Sequence, residues 1–287
     1  MQRFRIKQVK PVISVGFVLC LISISMLANA STPLIEATKN QNRIEVEALL
    51  DKGVDADESQ GDGATALHWA AYRNDADLTD SLLKHGANPN SSDDHGVTPL
   101  SLAVLNANLD LVRLLLSGGA NPNARQINGQ TALMVASRVG KKTIVEALLN
   151  SGANVNDAEK TKKHTALMVA VAGQHEDVAK LLIEHGADVG AKSINSFTPL
   201  LFAAQQGNIE LGRLLLEFGA DVNESAPDGI SGNTNARYRL IPDTSASALL
   251  VAIDSGHEEM AIFLLENGAN PTLNGAGRTA LHSAVQH

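Results

Sequence analysis

The sequence predicts an all-α solenoid, in which helix-turn-helix units joined by β-hairpin loops follow one another from residue 32 onward. The first observation is a tripeptide, Thr or Ser followed by Pro or Ala and then Leu, that returns along the chain at a nearly constant spacing. The second is a glycine that follows seven of these tripeptides, always at the same distance from the Thr or Ser. A fixed period of this length indicates one small unit stacked in an array. The tripeptides begin at Thr32, Thr65, Thr98, Thr131, Thr165, Thr198, Ser247 and Thr279.

The stretch Thr65–Asn90 shows how one unit is built. Its first half places small residues such as Ala70 and Ala71 on one helical face, and its second half places leucines such as Leu82 on another. Thr suits the N-cap of the first helix, and Gly86 allows the left-handed conformation that ends the second helix. One such unit cannot bury its apolar face alone, so each unit must pack against its neighbours.

This pattern resembles the ankyrin repeat, which has a period of about 33 residues and a T-P-L-H-x-A motif. The resemblance extends over residues 32–287 and implies partner binding on a concave side, made of hairpin tips and the exposed ends of the first helices. Turn signals such as Asp62-Gly63 and Asn128-Gly129 are typical of those hairpins. The expected units are 32–64, 65–97, 98–130, 131–164, 165–197, 198–246, 247–278 and a partial unit at 279–287. The last unit ends inside its first helix, so either that helix is a minimal cap or the sequence is a fragment.

Residues 1–30 have the pattern of a secretory signal peptide. Four basic residues precede an apolar run at 12–27, and Ala28-Asn29-Ala30 follows it. We expect cleavage after Ala30 and a periplasmic or secreted protein. The alternative is a retained membrane anchor, although the apolar run is shorter than the roughly 20 residues that span a bilayer.

Charge and cysteine content exclude several functions. Removal of residues 1–30, with their four basic side chains, changes the formal net charge from −8 to −12. An acidic surface argues against nucleic acid and anionic lipid as main partners. The only cysteine, Cys20, lies in the removed segment, so the mature chain has no disulfide or thiol chemistry.

The sequence contains no recognisable catalytic, metal or cofactor motif. There is no G-x-S-x-G, phosphate loop or nucleotide fingerprint, and no histidine pair has zinc-ligand spacing backed by a carboxylate. His68 and His282 lie at the histidine position of the repeat motif, where the resemblance implies a hydrogen bond to a neighbouring hairpin. Trp69, beside His68, is expected to pack in the core. We therefore predict a protein that is not an enzyme and needs no cofactor.

Two segments depart from the period. The linker at 157–164 has one extra residue, lacks the turn glycine and carries Lys160, Lys162 and Lys163. It is either a solvated hairpin tip or a contact for an acidic partner group. An insertion at 231–246 is either a tolerated mobile loop or a binding segment, since Tyr and Arg are enriched at interfaces.

The predicted function is a non-enzymatic protein–protein interaction scaffold of the bacterial periplasm or cell envelope, present as a monomeric array. The alternative is an auxiliary interaction domain, or a fragment, of a larger exported enzyme or secreted effector. The partner is another protein, with no nucleic acid and no stable membrane insertion after signal cleavage. The hypothesised contact residues are Tyr72, Arg73, Leu105, Asn106, Ile127, Arg138, Val139, Ile194, Phe197, Gln205, Gln206, Arg237, Tyr238 and Arg239.

Overall fold

Helices follow one another in pairs along the chain. The computed structural model describes residues 32–224 and 247–272, and these ranges contain fourteen helices in seven pairs. The first helices are α1 (Pro33–Lys39), α3 (Ala66–Tyr72), α5 (Pro99–Leu105), α7 (Ala132–Val139), α9 (Ala166–Ala172), α11 (Pro199–Gln206) and α13 (Ala248–Asp254). The second helices are α2 (Arg43–Asp51), α4 (Ala76–Lys84), α6 (Leu109–Ser117), α8 (Lys142–Asn150), α10 (Glu176–Glu184), α12 (Ile209–Glu217) and α14 (Glu258–Glu266). The predicted all-helical array is confirmed.

The pairs stack in one direction. Each first helix contacts its partner and the first helix of the next unit, and the second helices also contact one another in sequence. Small residues such as Ala70, Ala103 and Ala203 are fully buried between first helices, while Leu82 and Leu115 are fully buried on second helices. The core is therefore a continuous seam along the array. None of the helices in the two described ranges combines the length and apolar content needed to cross a bilayer.

Most of the capping residues behave as the sequence predicts, but the Thr32 hydroxyl has no partner in the described residues and the Thr65 hydroxyl lies 2.9 Å from Nδ1 of His68. The Thr131 side chain accepts the backbone N–H of Met134, and Thr98, Thr165, Thr198 and Ser247 cap their helices in the same way. The glycines that end the second helices all have φ between 78° and 91°. That range is the left-handed region, which costs other residues free energy.

The loops that join the units carry little strand structure. In the described part of the chain they form isolated antiparallel bridges instead of longer strands. Their tips are nevertheless linked, because each tip donates one backbone N–H to a carbonyl of the preceding tip. These bonds run from Asp94 to Asp62 (2.9 Å), from Ile127 to His95 (3.0 Å), from Lys160 to Asn128 (2.8 Å) and from Ile194 to Lys162 (2.8 Å).

Asparagine side chains form a second set of links between units, which the motifs above do not predict. The side-chain oxygen of Asn123 accepts the backbone N–H of Asn154 at 2.7 Å, and its amide donates to the carbonyl of Gly152 at 2.9 Å. We call this pair of bonds an asparagine clamp. The same clamp joins Asn90 to Asn121 and Gly119, Asn156 to Asp188 and Gly186, and Asn223 to Asn270 and Gly268.

The clamps show where the array is regular and where it changes. The clamp of Asn223 connects residues on either side of the expected insertion, so stacking resumes after it. The insertion itself lies outside the described residues, as do the predicted signal segment and the partial last unit. Gly190 stands where the next clamp asparagine would be, between Asn156 and Asn223. At that interface an ion pair joins Lys192 to Glu224, with 2.8 Å between the charged atoms.

Two histidines cover glycines of the preceding unit. The Nε2 atom of His175 lies 3.1 Å from the carbonyl oxygen of Arg138 and donates to it, since a carbonyl can only accept. A Cβ atom added to Gly140 would lie 2.4 Å from the same ring, and Gly140 has a φ of 73°. His257 makes the equivalent contact with Gly207. Glycine therefore leaves space for the histidine ring at these two positions, where other units place residues such as Asn74 and Ala107 in the same left-handed conformation.

This geometry predicts different costs for one substitution at two equivalent positions. Gly256 lies at the same place in the Ser247 unit, with a φ of 77°, but no described atom lies within 4 Å of an added Cβ. Gly256→Ala should lower the free energy of unfolding by about 1–2 kcal/mol through backbone strain alone. Gly140→Ala should cost clearly more, because the ring of His175 must also move. Urea denaturation of both variants checks this, and equal losses would contradict the role assigned to His175.

Candidate protein-binding surface

The end of each first helix presents one side chain at a constant position relative to the capping Thr. Tyr72 and Leu105 occupy this position in consecutive units, and 41% and 43% of their surfaces are exposed. Arg138 and Gln205 are the corresponding residues of later units, and both are exposed. The structure therefore brings four of the predicted contact residues into one row.

Several other predicted residues of this row also have structural contacts. Asn106 donates its side-chain amide to the carbonyls of Ala71 and Tyr72, at 3.0 and 3.1 Å. Gln206 accepts a hydrogen bond from Gln174 at 3.4 Å. Arg73 is exposed and forms the C-cap of α3. Asn106 thus joins two adjacent members of the row, which makes the surface continuous between the Thr65 and Thr98 units.

The loop tips supply a second row of apolar side chains. Ile127 is 64% exposed and Ile194 is 46% exposed, although the backbone N–H of each is held by the preceding tip. A rigid backbone with free side chains is a favourable platform for binding, because little order has to be created when a partner arrives. Arg237, Tyr238 and Arg239, predicted to belong to the contact area, lie outside the described residues.

Two predicted surface residues have a different environment. Val139 and Phe197 are half-buried and pack against the hydrophobic core. The ring of Phe197 lies edge-on to that of Phe202, with 5.4 Å between the centroids. These two members of the hypothesised contact set therefore also contribute to the packing of the core. Their exposed edges remain available at the surface.

Arg138 keeps its charge in a partly covered position. Surrounding protein desolvates the guanidinium group and lowers its pKa from a very high ordinary value, so the group stays protonated at neutral pH. The carbonyl of Arg138 is bonded to His175 of the next unit, which fixes the last turn of α7. The backbone that carries the cation is thus held in a defined place.

Comparison with known proteins agrees with this architecture. A family model described as ankyrin repeats (3 copies) matches residues 14–93, 34–126, 73–159, 100–193, 133–226 and 191–273. The chain belongs to the ankyrin-repeat family. The crystal structure of the human ASB11 ankyrin repeat domain is similar, with 26% sequence identity and a TM-score of 0.66, covering 84% of this chain and all of that one. A comparison with curated proteins finds no matching sequence. Ankyrin repeats generally mediate protein–protein interaction and are typically not enzymes.

The repeat histidine of the Thr65 unit has the structural role that the resemblance implied. His68 is buried; its Nδ1 accepts the backbone N–H of Thr65 at 3.1 Å, and its Nε2 donates to the carbonyl of Val97 in the next loop at 3.0 Å. Burial lowers the pKa of His68, against the opposing effects of the Val97 carbonyl and of Asp93 and Asp62. The ring therefore connects the start of α3 to the loop that precedes α5, as a neutral hydrogen-bonding group.

Trp69 lies partly in the core, as expected, but it also has a polar contact. The Lys39 ammonium group is 4.8 Å from the centre of the indole ring, and the Tyr72 ring lies edge-on at 5.8 Å. The buried indole N–H has no hydrogen-bond partner within the described residues. In the same residues, no three His, Cys, Asp or Glu side chains come together as metal ligands.

The environment of His68 predicts a pH-dependent stability. Because its folded-state pKa lies below the unfolded value of about 6.5, the unfolded chain binds the extra proton first as the pH falls. The free energy of unfolding should therefore decrease from pH 7.5 to pH 5. His68→Met, which places there the residue found at Met134 and Met168, should reduce this decrease. His164, whose pKa burial also lowers, accounts for a remaining part. Urea titrations at the two pH values measure the change, and an unaltered pH dependence in the variant would contradict it.

Proposed function

We propose that this ankyrin-repeat protein is a non-enzymatic scaffold that binds another protein along its first-helix ends and loop tips. The row that begins with Tyr72 and Leu105 supports this proposal most directly. These side chains are large, apolar and about 40% exposed, and only Tyr72 has an aromatic contact, with Trp69, among the described residues. Ile127 and Ile194 add two further apolar contacts on the neighbouring tips.

The chemical character of this surface favours a protein over a small ligand. Its side chains are spread over several units along the array, so that a partner must be large or extended to reach them. Aromatic, aliphatic and arginine side chains together are typical of the centres of protein interfaces. In other units the same positions carry Arg138, Gln205 and Asp254, which would give the interface specificity more than affinity.

The proposal predicts that binding and stability separate in one double variant. Tyr72→Ala with Leu105→Ala removes two exposed apolar groups and should weaken partner binding at least tenfold. The free energy of unfolding should fall by only about 1 kcal/mol, chiefly through the lost contact between Tyr72 and Trp69. Co-purification of a protein partner, followed by titration with that partner, measures the first effect, and urea denaturation measures the second.

A matched control is available among the residues of the second helices and their ends. Ile44 on α2 and Phe218 at the end of α12 are exposed apolar residues outside the proposed surface, and Ile44→Ala with Phe218→Ala also removes two exposed apolar groups. This control should leave binding unchanged. Equal weakening by both double variants, or severe unfolding by Tyr72→Ala with Leu105→Ala, would refute the proposed surface.

We place this function in the bacterial periplasm or cell envelope on the basis of the signal-peptide pattern in residues 1–30. The prediction is that the full sequence yields a chain beginning at Ser31 in the periplasmic fraction. Replacement of Arg3, Arg5, Lys7 and Lys10 by Gln should retain the protein in the cytoplasm, because export signals need a positive start. N-terminal sequencing and fractionation measure both outcomes. A mature protein that still begins at Met1 would contradict cleavage.

A further inference from the structure

Four cationic side chains gather around the junction of the Thr131 and Thr165 units. Arg138 ends the first helix of one unit, and three exposed lysines lie on the loop that leads to the next. His164, on the same loop, has a pKa lowered first by burial; Glu159 opposes this effect, while Lys162 and Arg138 reinforce it. Both cations therefore lie within electrostatic reach of one ring. We call Arg138, Lys160, Lys162 and Lys163 the basic patch.

The only carboxylate of this loop after Asp157 is already engaged by the backbone. Glu159 accepts the N–H groups of Thr161, Lys162 and His164 and the hydroxyl of Thr161. Burial raises the pKa of Glu159, but these hydrogen bonds outweigh burial and lower the pKa overall. Among the described residues, none of the ion pairs involves a member of the basic patch. Its cations thus form no ion pair within the described chain, and the negative charge of Glu159 on the same loop offsets only part of their charge.

Apolar groups border the basic patch on the side of the next unit. The backbone N–H of Ile194 is bonded to the carbonyl of Lys162 at 2.8 Å, which brings the exposed Ile194 side chain beside the lysine. The Phe202 ring lies edge-on to His164, with 5.4 Å between the centroids, and continues to Phe197. The sequence motifs do not predict this aromatic group, because its residues come from three consecutive units.

The charge of the basic patch contrasts with the rest of the protein. The whole chain carries a formal charge of −8, and the earlier loop tips carry Asp62, Asp93 and Asp94. We propose that the basic patch binds an extended segment of the protein partner that carries two or more carboxylates beside an apolar side chain. This inference rests on the proposed function and names the chemistry of its partner. A polyanion such as DNA fits less well, because the overall negative charge repels it.

A peptide titration tests the inference. The probe is a fluorescein-labelled decapeptide of Asp, Glu and one Leu, compared with the same peptide carrying Asn and Gln. The titration uses the protein that is purified after expression of the full sequence. We expect the acidic peptide to bind at least tenfold more tightly by fluorescence anisotropy, and the difference to shrink as salt screens the charges. The double variant Arg138→Gln with Lys162→Gln should bind the acidic peptide at least tenfold more weakly.

The control variant makes the same change of charge elsewhere. Lys142 and Lys180 are exposed on α8 and α10, and Lys142→Gln with Lys180→Gln should keep the affinity within twofold. Equal losses in both variants, or equal binding of the two peptides, would overturn the inference. So would DNA or anionic vesicles that displace the acidic peptide from the patch.

The two proposals fail in different ways. Partner binding that is lost in Tyr72→Ala with Leu105→Ala but kept in Arg138→Gln with Lys162→Gln would refute the acidic segment and leave the scaffold function intact. Partner binding that neither variant reduces would refute the scaffold surface itself. Unchanged melting temperatures in the Arg138 and Lys162 variant exclude unfolding as the cause of any loss.

Discussion

Every unit of this protein depends on burial of its apolar face against the next unit. Burying one leucine such as Leu82 or Leu115 contributes about 2 kcal/mol, whereas a hydrogen bond contributes about 1 kcal/mol net. The leucine and alanine seam therefore supplies most of the free energy of folding. The asparagine clamps contribute less energy but are directional, so they fix how far one unit is translated and rotated relative to its neighbour.

This division of roles explains why some exposed side chains remain available for binding. The seam uses the inner faces of the helices, the tip bonds use backbone groups, and the clamps use asparagine side chains with backbone groups of the next unit. The side chains of Tyr72, Leu105, Ile127 and Ile194 are therefore not required to close the structure. Such side chains can differ from unit to unit at little cost in stability, because each unit keeps the same backbone geometry. These differences allow the surface to recognise one particular partner.

Much of the fold was predictable because its signals are local. Thr131 and Gly86 act through backbone atoms close in sequence, and their period identifies the units. The clamp of Asn123 could in principle have been predicted from the sequence, because Asn90 and Asn156 occupy the same position in the neighbouring units. The burial of Phe197 was not, because it depends on Phe202, where most other units have a smaller side chain. The charge environment of His164 likewise depends on Arg138, which lies on the far side of a whole second helix in the chain.

The interface beside the basic patch is the one in which the series of clamps is interrupted. Gly190 has no side chain with which to reach the next unit, and the ion pair of Lys192 with Glu224 is solvent-exposed on one side. Exposed ion pairs contribute about 0–1 kcal/mol, less than the two hydrogen bonds of a clamp. A partner held at Lys162 that extended past Phe197 to the exposed Gln205 would contact the units on each side of this interface. Because a ligand stabilises the state that it binds, such a partner would stabilise this interface, which has no asparagine clamp.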